Sequence, residues 1–210
     1  MELTAAQVLR LNGDMKRDSP LMEAVRRVHA LSRSRRLPYC IIGGMAVIRN
    51  GYARTTMDVD ILTYRAEWTK LLPLSGDISS EGVDRCVDNP TGVRIDVLFA
   101  DDDWGMVMPM PDPRRTSEFD EELGANFIDL HALVQPKAAV YLDKLREHGP
   151  ATAAKDLADV QALMTNNLGK FSIEVIRNYD PRVRKHCMKI FREVERVAMG
   201  KKRRPEEIEL

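Results

Sequence analysis

The sequence predicts an α/β (α+β) chain, a mixed twisted sheet flanked by helices and followed by a helical C-terminal part, and two observations predict it. Short apolar runs of strand type, at Tyr39–Ile42, Met57–Leu62, Gly92–Phe99 and Asn126–Leu130, are interleaved with segments of helical period. Beyond Leu130 helical spacing dominates, which divides the chain into residues 1–129 and 130–210.

Leu21–Arg36 comes first, with Met22, Val25, Val28, Ala30 and Leu31 at helical spacing and an arginine-rich face expected in solvent. Tyr39–Ile42 is β-prone and ends in Gly43-Gly44, so it reads as a buried strand entering a tight turn. Met45–Ile48 then reads as a short helix stopped at Asn50-Gly51. In the next run Met57, Val59 and Ile61 alternate with Asp58, Asp60 and Leu62, and a strand turns residues i and i+2 to the same side. Both aspartates therefore face one way. In Gly92–Phe99 the residues Val93, Ile95, Val97 and Phe99 form one face, and Arg94, Asp96 and Leu98 the other.

Asp101-Asp102-Asp103 is expected to form a turn or to cap a short helix around Trp104. The proline-rich stretch from Met106 to Glu122 reads as a loop or edge hairpin. Leu130–Glu147 is helical up to His148-Gly149-Pro150, with Pro136 in a first-turn position beside Lys137. Thr152 is the expected N-cap of a helix over Ala153–Asn166, in which Lys155 and Asp159 share a face. Between Arg177 and Arg204 stand eleven Lys or Arg against three Asp or Glu. Such segregation suits either a solvated helix face or the guidance of a nucleic acid. Residues 205–210 are acidic and expected to fray.

Composition narrows the class. The 210 residues carry 32 Lys plus Arg against 32 Asp plus Glu, a net charge of zero, and suit one compact catalytic unit or two small ones. The longest apolar run, Tyr39–Ile48, is interrupted by two glycines and is far shorter than the roughly 20 residues that cross a bilayer. No membrane association is expected, and the first residues lack the pattern of a secretory signal, so the cytoplasm is the expected compartment. Cys40, Cys86 and Cys187 have no Cys-x-x-Cys spacing and read as reduced packing residues. No two of the four histidines share a metal-ligand spacing.

The chemistry concentrates in Gly43-Gly44, Asp58, Asp60 and Asp96. A glycine turn lets the backbone approach a phosphate. Two carboxylates on one strand face repel each other, and a cation between them removes that cost. Magnesium fits, because it takes oxygen ligands and is commonly held by one or two carboxylates together with substrate phosphates. An isolated Asp-x-Asp is more often a solvated strand face, and Asp96 alone suits an edge strand as well as a site. If the two strands pair, the three acids form a set able to hold two metals for in-line phosphoryl displacement.

The order strand, Gly43-Gly44, helix, Arg54-x-Thr56-x-Asp58-x-Asp60 and a later strand with Asp96 resembles the nucleotidyltransferase superfamily of DNA polymerase beta type. The likeness is greatest to its small bacterial members, the AbiEii-like abortive-infection toxins and the lincosamide-type antibiotic nucleotidyltransferases. Residues 127–163 resemble the segment of those proteins in which a lysine precedes a Lys-Asp motif, with Lys137, Lys155, Asp156 and Asp159 as the matching positions. The resemblance spans roughly residues 38–165. Many superfamily members carry Gly-Ser where this chain has Gly43-Gly44, so the serine hydroxyl is missing here, as in the AbiEii-like proteins. Lys144 stands where arginine is commoner and lacks its bidentate fork, which leaves its role open.

The resemblance implies a nucleotidyltransferase core over residues 1–129 and a helical part over 130–210 that closes a nucleotide cleft. It implies transfer of NMP from an NTP, ATP included, to an acceptor hydroxyl with release of pyrophosphate. Asp58, Asp60 and Asp96 would be catalytic and metal-binding, with Mg2+ as cofactor and Mn2+ as its alternative. Gly43, Gly44, Arg54, Thr56, Lys137, Lys155 and Asp159 would bind the nucleotide. A toxin of this type would act on tRNA and pair with an antitoxin protein. The alternatives are an antibiotic-modifying nucleotidyltransferase and a non-catalytic nucleotide- or partner-binding module of the same fold.

Overall fold

Ser19 opens the first helix, α1 (Pro20–Arg35), by accepting a hydrogen bond from the Met22 N–H at 3.3 Å, with Pro20 in the first turn. The computed structural model to which α1 belongs describes residues 19–72, 74, 76–102 and 107–202. The helix expected around Trp104 and the frayed end expected at 205–210 lie outside the described residues. Contacts between elements divide the chain into two units, Met1–Trp104 with Pro109–Leu133, and Gly105–Met108 with Val134–Leu210.

In the first unit α1 buries Leu21, Met22, Ala24, Val25, Val28 and Ser32. Ala30, expected in that stripe, is exposed, because it lies about 200° round the helix from Val28. Arg27 departs from the solvated face expected of the arginines. It turns inward to Asp88, with Nε 2.5 Å from the carboxylate of a fully buried side chain.

The seven strands are β1 (Cys40–Ile41), β2 (Asp58–Thr63), β3 (Ile78–Ser80), β4 (Arg85–Asp88), β5 (Val93–Phe99), β6 (Ser117–Asp120) and β7 (Ala125–Ile128). They form one sheet in the order β3-β4-β5-β2-β1-β7-β6. The β2/β5 and β1/β7 pairs are parallel and the others antiparallel, so the sheet is mixed, as the sequence predicts. β6, in the stretch Met106–Glu122 expected as a loop or edge hairpin, pairs antiparallel with β7, the last strand expected from Asn126, at the edge of the sheet. β3 and β4 are short strands with no counterpart among the four strand-type runs of the sequence. Helix α2 (Gly43–Arg49) links β1 to β2 and buries Met45, Ala46, Val47 and Ile48. Met57 was expected to share a face with Val59 and Ile61, but it precedes β2 and is 82 % exposed.

Two short helices, α3 (Arg65–Trp68) and α4 (Pro113–Thr116), lie in the connections. Arg65 pairs with Asp102, and its N–H donates to Asp101 Oδ1 at 2.7 Å. Asp101 and Asp102 thus tie down the start of α3. Cys40, Cys86 and Cys187 are all buried and free, as expected. Burial pushes the Cys86 thiol up to about 11 and the Cys187 thiol up to about 12, so neither is a reactive thiolate.

The second unit is helical. It holds α5 (Leu130–His148) from Val134 onward, α6 (Pro150–Asn166), α7 (Ile173–Arg177) and α8 (Pro181–Lys202). The expected start at Leu130 holds, while the first-turn position expected for Pro136 and the N-cap expected of Thr152 are corrected. Asp129 accepts from the Ala132 N–H at 2.8 Å and fixes the start of α5 at Leu130. Pro136 therefore lies inside the helix, and Lys137 is not at its N-terminus. α6 begins at Pro150, preceded by Gly149 at φ 82°, so Thr152 is inside the helix rather than its cap. Val183, Cys187, Ile190, Phe191 and Val194 form the buried seam of α8, which packs on α6. Among the described residues no helix is long and apolar enough to cross a membrane.

Candidate active site

The acidic residues reach one place because β2 and β5 are parallel neighbours at the middle of the sheet. Val59, Ile61, Ile95 and Val97 fill the buried face, which turns Asp58, Asp60 and Asp96 to the other. In the register of this pair Asp60 stands opposite Asp96, and Asp58 opposite Arg94. The Asp58 and Asp96 side chains are 30 % and 27 % exposed, so the carboxylates are accessible yet partly desolvated.

The glycine turn is pressed against this strand. Gly43 has φ 63°, a left-handed conformation that side chains disfavour, and a Cβ there would lie 2.8 Å from Asp60 Cβ and closer still to its carboxylate. A Cβ on Gly44 would lie 2.8 Å from Thr56 Cβ and 3.0 Å from Arg54 Nη2, and would collide with the Thr56 hydroxyl. Glycine at both positions lets Arg54, Thr56 and Asp60 close on the turn. The Thr56 hydroxyl therefore lies beside the place where a side chain of residue 44 would start. It donates to Asp58 Oδ1 at 3.0 Å. Ile42, the residue before α2, provides no side-chain cap for the helix, and the main chain is further tied by Ile42 N–H donating to the Asp60 carbonyl at 2.9 Å.

Arg94 was not anticipated as a site residue, although its i, i+2 spacing from Asp96 was visible. Its Nη2 lies 3.0 Å from Asp58 Oδ2 and 2.8 Å from Asp96 Oδ2, so one guanidinium joins two of the three acids across the strands. The Asp96 carboxylate, followed by that of Asp58, holds the Arg94 pKa above its ordinary value. Arg85, opposite Asp96 on β4, approaches the other oxygen of that carboxylate at 4.0 Å.

As a donor set, three carboxylates with no nitrogen or sulfur suit a hard cation such as Mg2+ or Mn2+. Among the described residues no three acidic, His or Cys side chains converge as a ligand group, and Arg94 engages one oxygen each of Asp58 and Asp96. The residue types fit a divalent cation.

In the second unit Lys137 Nζ lies 2.8 Å from Asp159 and 3.5 Å from Asp156, while Lys144 Nζ lies 2.7 Å from Asp156. Both aspartates are buried, so two lysines balance two buried charges. This gives Lys144 the partner that the sequence left open. Lys155, expected on one face with Asp159, is exposed and has no ion pair among the described residues, whereas Asp159 faces Lys137. On α8, Lys185, Lys189 and Arg192 are exposed along a single depression of the surface and have no ion pair among the described residues. Arg182 instead pairs with Asp180, Arg184 donates to the Tyr179 carbonyl, and Arg196 pairs with Glu193.

No protein-family model matches the sequence, and no curated protein does. Solved structures do. An antigenic nucleotidyltransferase-like protein from Paracoccidioides brasiliensis aligns at 19 % identity with a TM-score of 0.50, over 69 % of this chain and 75 % of that one. ANT(2″)-Ia in complex with adenylyl-2″-tobramycin aligns at 14 % identity and a TM-score of 0.48, over 80 % of this chain and 97 % of that one. The solution structure of ANT(2″)-Ia aligns at 15 % and 0.49, over 85 % and 97 %. The mixed sheet flanked by helices is thus the fold of a nucleotidyltransferase-like protein.

Proposed function

We propose that the chain is a metal-dependent nucleotidyltransferase that moves NMP from an NTP to an acceptor hydroxyl and releases pyrophosphate. The observation that carries this reading is the packing of the Gly43-Gly44 turn against Thr56 and Asp60, on a strand whose Asp60 stands directly opposite Asp96. A turn without side chains and a partly desolvated acidic face are what a triphosphate and its cation require. The fold shared with a nucleotidyltransferase-like protein supports the same reading.

In this proposal the Gly43 and Gly44 N–H groups bind phosphate oxygens at the open start of α2. Arg54 and Thr56 hold the turn, and the Thr56 hydroxyl supplies the contact for which many relatives use a serine. Asp58, Asp60 and Asp96 hold Mg2+ or Mn2+. When bound, the cation neutralises charge developing on the transferred phosphoryl group and lowers the pKa of the attacking hydroxyl. Asp96, across the strand pair from Asp60, is the acid assigned to the acceptor side.

For the acceptor we infer an RNA of the tRNA class, with the chain acting as an AbiEii-like toxin. The supporting observation is the row Lys185, Lys189 and Arg192, spaced by four and three residues on one helix face and free of acidic partners among the described residues. Incubation of the protein with α-32P-labelled NTPs and separate pools of tRNA, cell-extract protein and small-molecule alcohols tests both statements. Label entering tRNA is expected. Label entering only protein or small molecules overturns the acceptor, and label entering no pool overturns the transferase.

A further inference from the structure

We propose that Arg94 is the exchangeable counter-ion of the carboxylate site, holding in the metal-free protein the oxygens that a divalent cation takes, so that cation entry and guanidinium release are one event. The inference rests on the reading of Asp58, Asp60 and Asp96 as metal ligands.

Arg94 reaches this position by register alone. It stands opposite Asp58 in the β2/β5 pair and two residues before Asp96 on its own strand, so all three side chains share a face. A single nitrogen, Nη2, then touches Asp58 Oδ2 at 3.0 Å and Asp96 Oδ2 at 2.8 Å. Two carboxylates that near each other repel unless a positive charge lies between them, and the guanidinium supplies it. A magnesium-type cation binds carboxylate oxygens at about 2.0–2.1 Å and tolerates little distortion, so it cannot share the same lone pairs with Nη2. The Arg94 side chain is half exposed, which gives the guanidinium an aqueous place to go when it is displaced. Arg85 stays near the opposite oxygen of Asp96, so the acid keeps a cationic neighbour during the exchange.

Competition of this kind has a measurable consequence. An internal cation that must leave first weakens apparent metal affinity, so its removal strengthens it. Manganese titration by electron paramagnetic resonance or calorimetry, without nucleotide, reads this directly on wild type, Arg94→Gln, Arg94→Lys and the control Asp58→Asn/Asp96→Asn. Arg94→Gln is expected to bind Mn2+ roughly tenfold more tightly, the order expected when a partly exposed charge pair and a like charge are both removed. It should also melt lower than wild type in chelator and gain more from Mn2+. Arg94→Lys, which keeps the charge but loses the fork, should fall between the two. It carries the test alone if the Gln variant does not fold.

Equal or weaker Mn2+ binding by the Arg94 variants, with binding still lost in the double-Asn control, overturns the exchange while leaving the metal site in place. Undiminished binding in that control removes the carboxylate reading itself, and the exchange with it.

Discussion

Gly43 and Asp60 are in contact so close that a single added carbon at residue 43 would lie 2.8 Å from Asp60 Cβ. The glycine turn and the acidic strand are therefore one structural feature, and the dihedral φ 63° at Gly43 adds a second reason against a side chain. Gly43→Ala is expected to cost about 2 kcal/mol of stability, from left-handed strain and a displaced carboxylate. It should lower nucleotidyl transfer about a hundredfold, because small displacements of positioned groups carry such penalties. Thermal melting and label transfer check the two effects, and a fully active, equally stable variant would contradict the packing argument.

Arg27 and Asp88 set an acid limit on the first unit. Burial of Asp88 raises its pKa, but the hydrogen bonds from Arg27 and Thr91 outweigh that and hold it below the ordinary 3.8. A carboxylate with a depressed folded-state pKa stabilises the fold fully above its unfolded value, and that stabilisation is lost as the pH falls through the folded one. Wild type should therefore lose stability progressively below about pH 4. Asp88→Asn should be less stable by about 2 kcal/mol at neutral pH, with a flatter acid limb in urea titrations from pH 7 to 3. Identical acid limbs in the two proteins would remove this pair from the account.

Lys137, Lys144, Asp156 and Asp159 form a charge-balanced cluster whose members differ in burial, and the difference orders their substitutions. The Asp159 side chain is 1 % exposed, so Asp159→Leu leaves Lys137 without that partner and should cost about 3 kcal/mol. Lys144 is 37 % exposed, and Lys144→Met should cost about 1 kcal/mol or less. Chemical denaturation gives both numbers. The reverse order would mean that Lys137 is not held by Asp159 in solution.

Lys185, Lys189 and Arg192 give the acceptor proposal its salt signature. Changing all three to Gln should weaken tRNA binding and reduce the slope of log affinity against log salt by a little under 3, since each phosphate contact contributes roughly 0.9 unit. NTP affinity should stay the same. Filter binding from low to physiological salt reads the slope, and an unchanged slope would remove this helix face from RNA recognition.

Much of the site was legible in the sequence because strand alternation is a strong local signal. Val93, Ile95, Val97 and Phe99 are all buried, and the polar phase of the same strand carries Arg94 and Asp96, as the period of two requires. The alternation of Asp58 and Asp60 with Val59 and Ile61 likewise survives intact. What the sequence could not supply is register. Only the pairing of Asp58 with Arg94 reveals that an arginine joins two of the acids. The positions of Pro136 and Thr152 within their helices differ from expectation for another reason. Thr152 suits an N-cap, but Pro150 is the stronger start signal and moves its helix earlier, whereas Pro136 suits a first turn yet lies inside a helix that Asp129 already opens at Leu130. Lys155 and Asp159 share a helical spacing, yet the buried carboxylate is matched by Lys137 from another helix, a contact that no local pattern encodes.

Nucleotidyl transfer at the carboxylate strand is tested by comparing α-32P and γ-32P NTP as donors to the tRNA pool with Mg2+ present, for wild type and Asp60→Asn. Nucleotidyl transfer carries the α label into the acceptor and leaves the γ label in pyrophosphate. Wild type is expected to transfer only the α label, and Asp60→Asn neither, while the variant melts at or above the wild-type temperature in chelator, since a carboxylate has been neutralised. Transfer of the γ label, or undiminished α-label transfer by Asp60→Asn, would contradict nucleotidyl transfer at this strand.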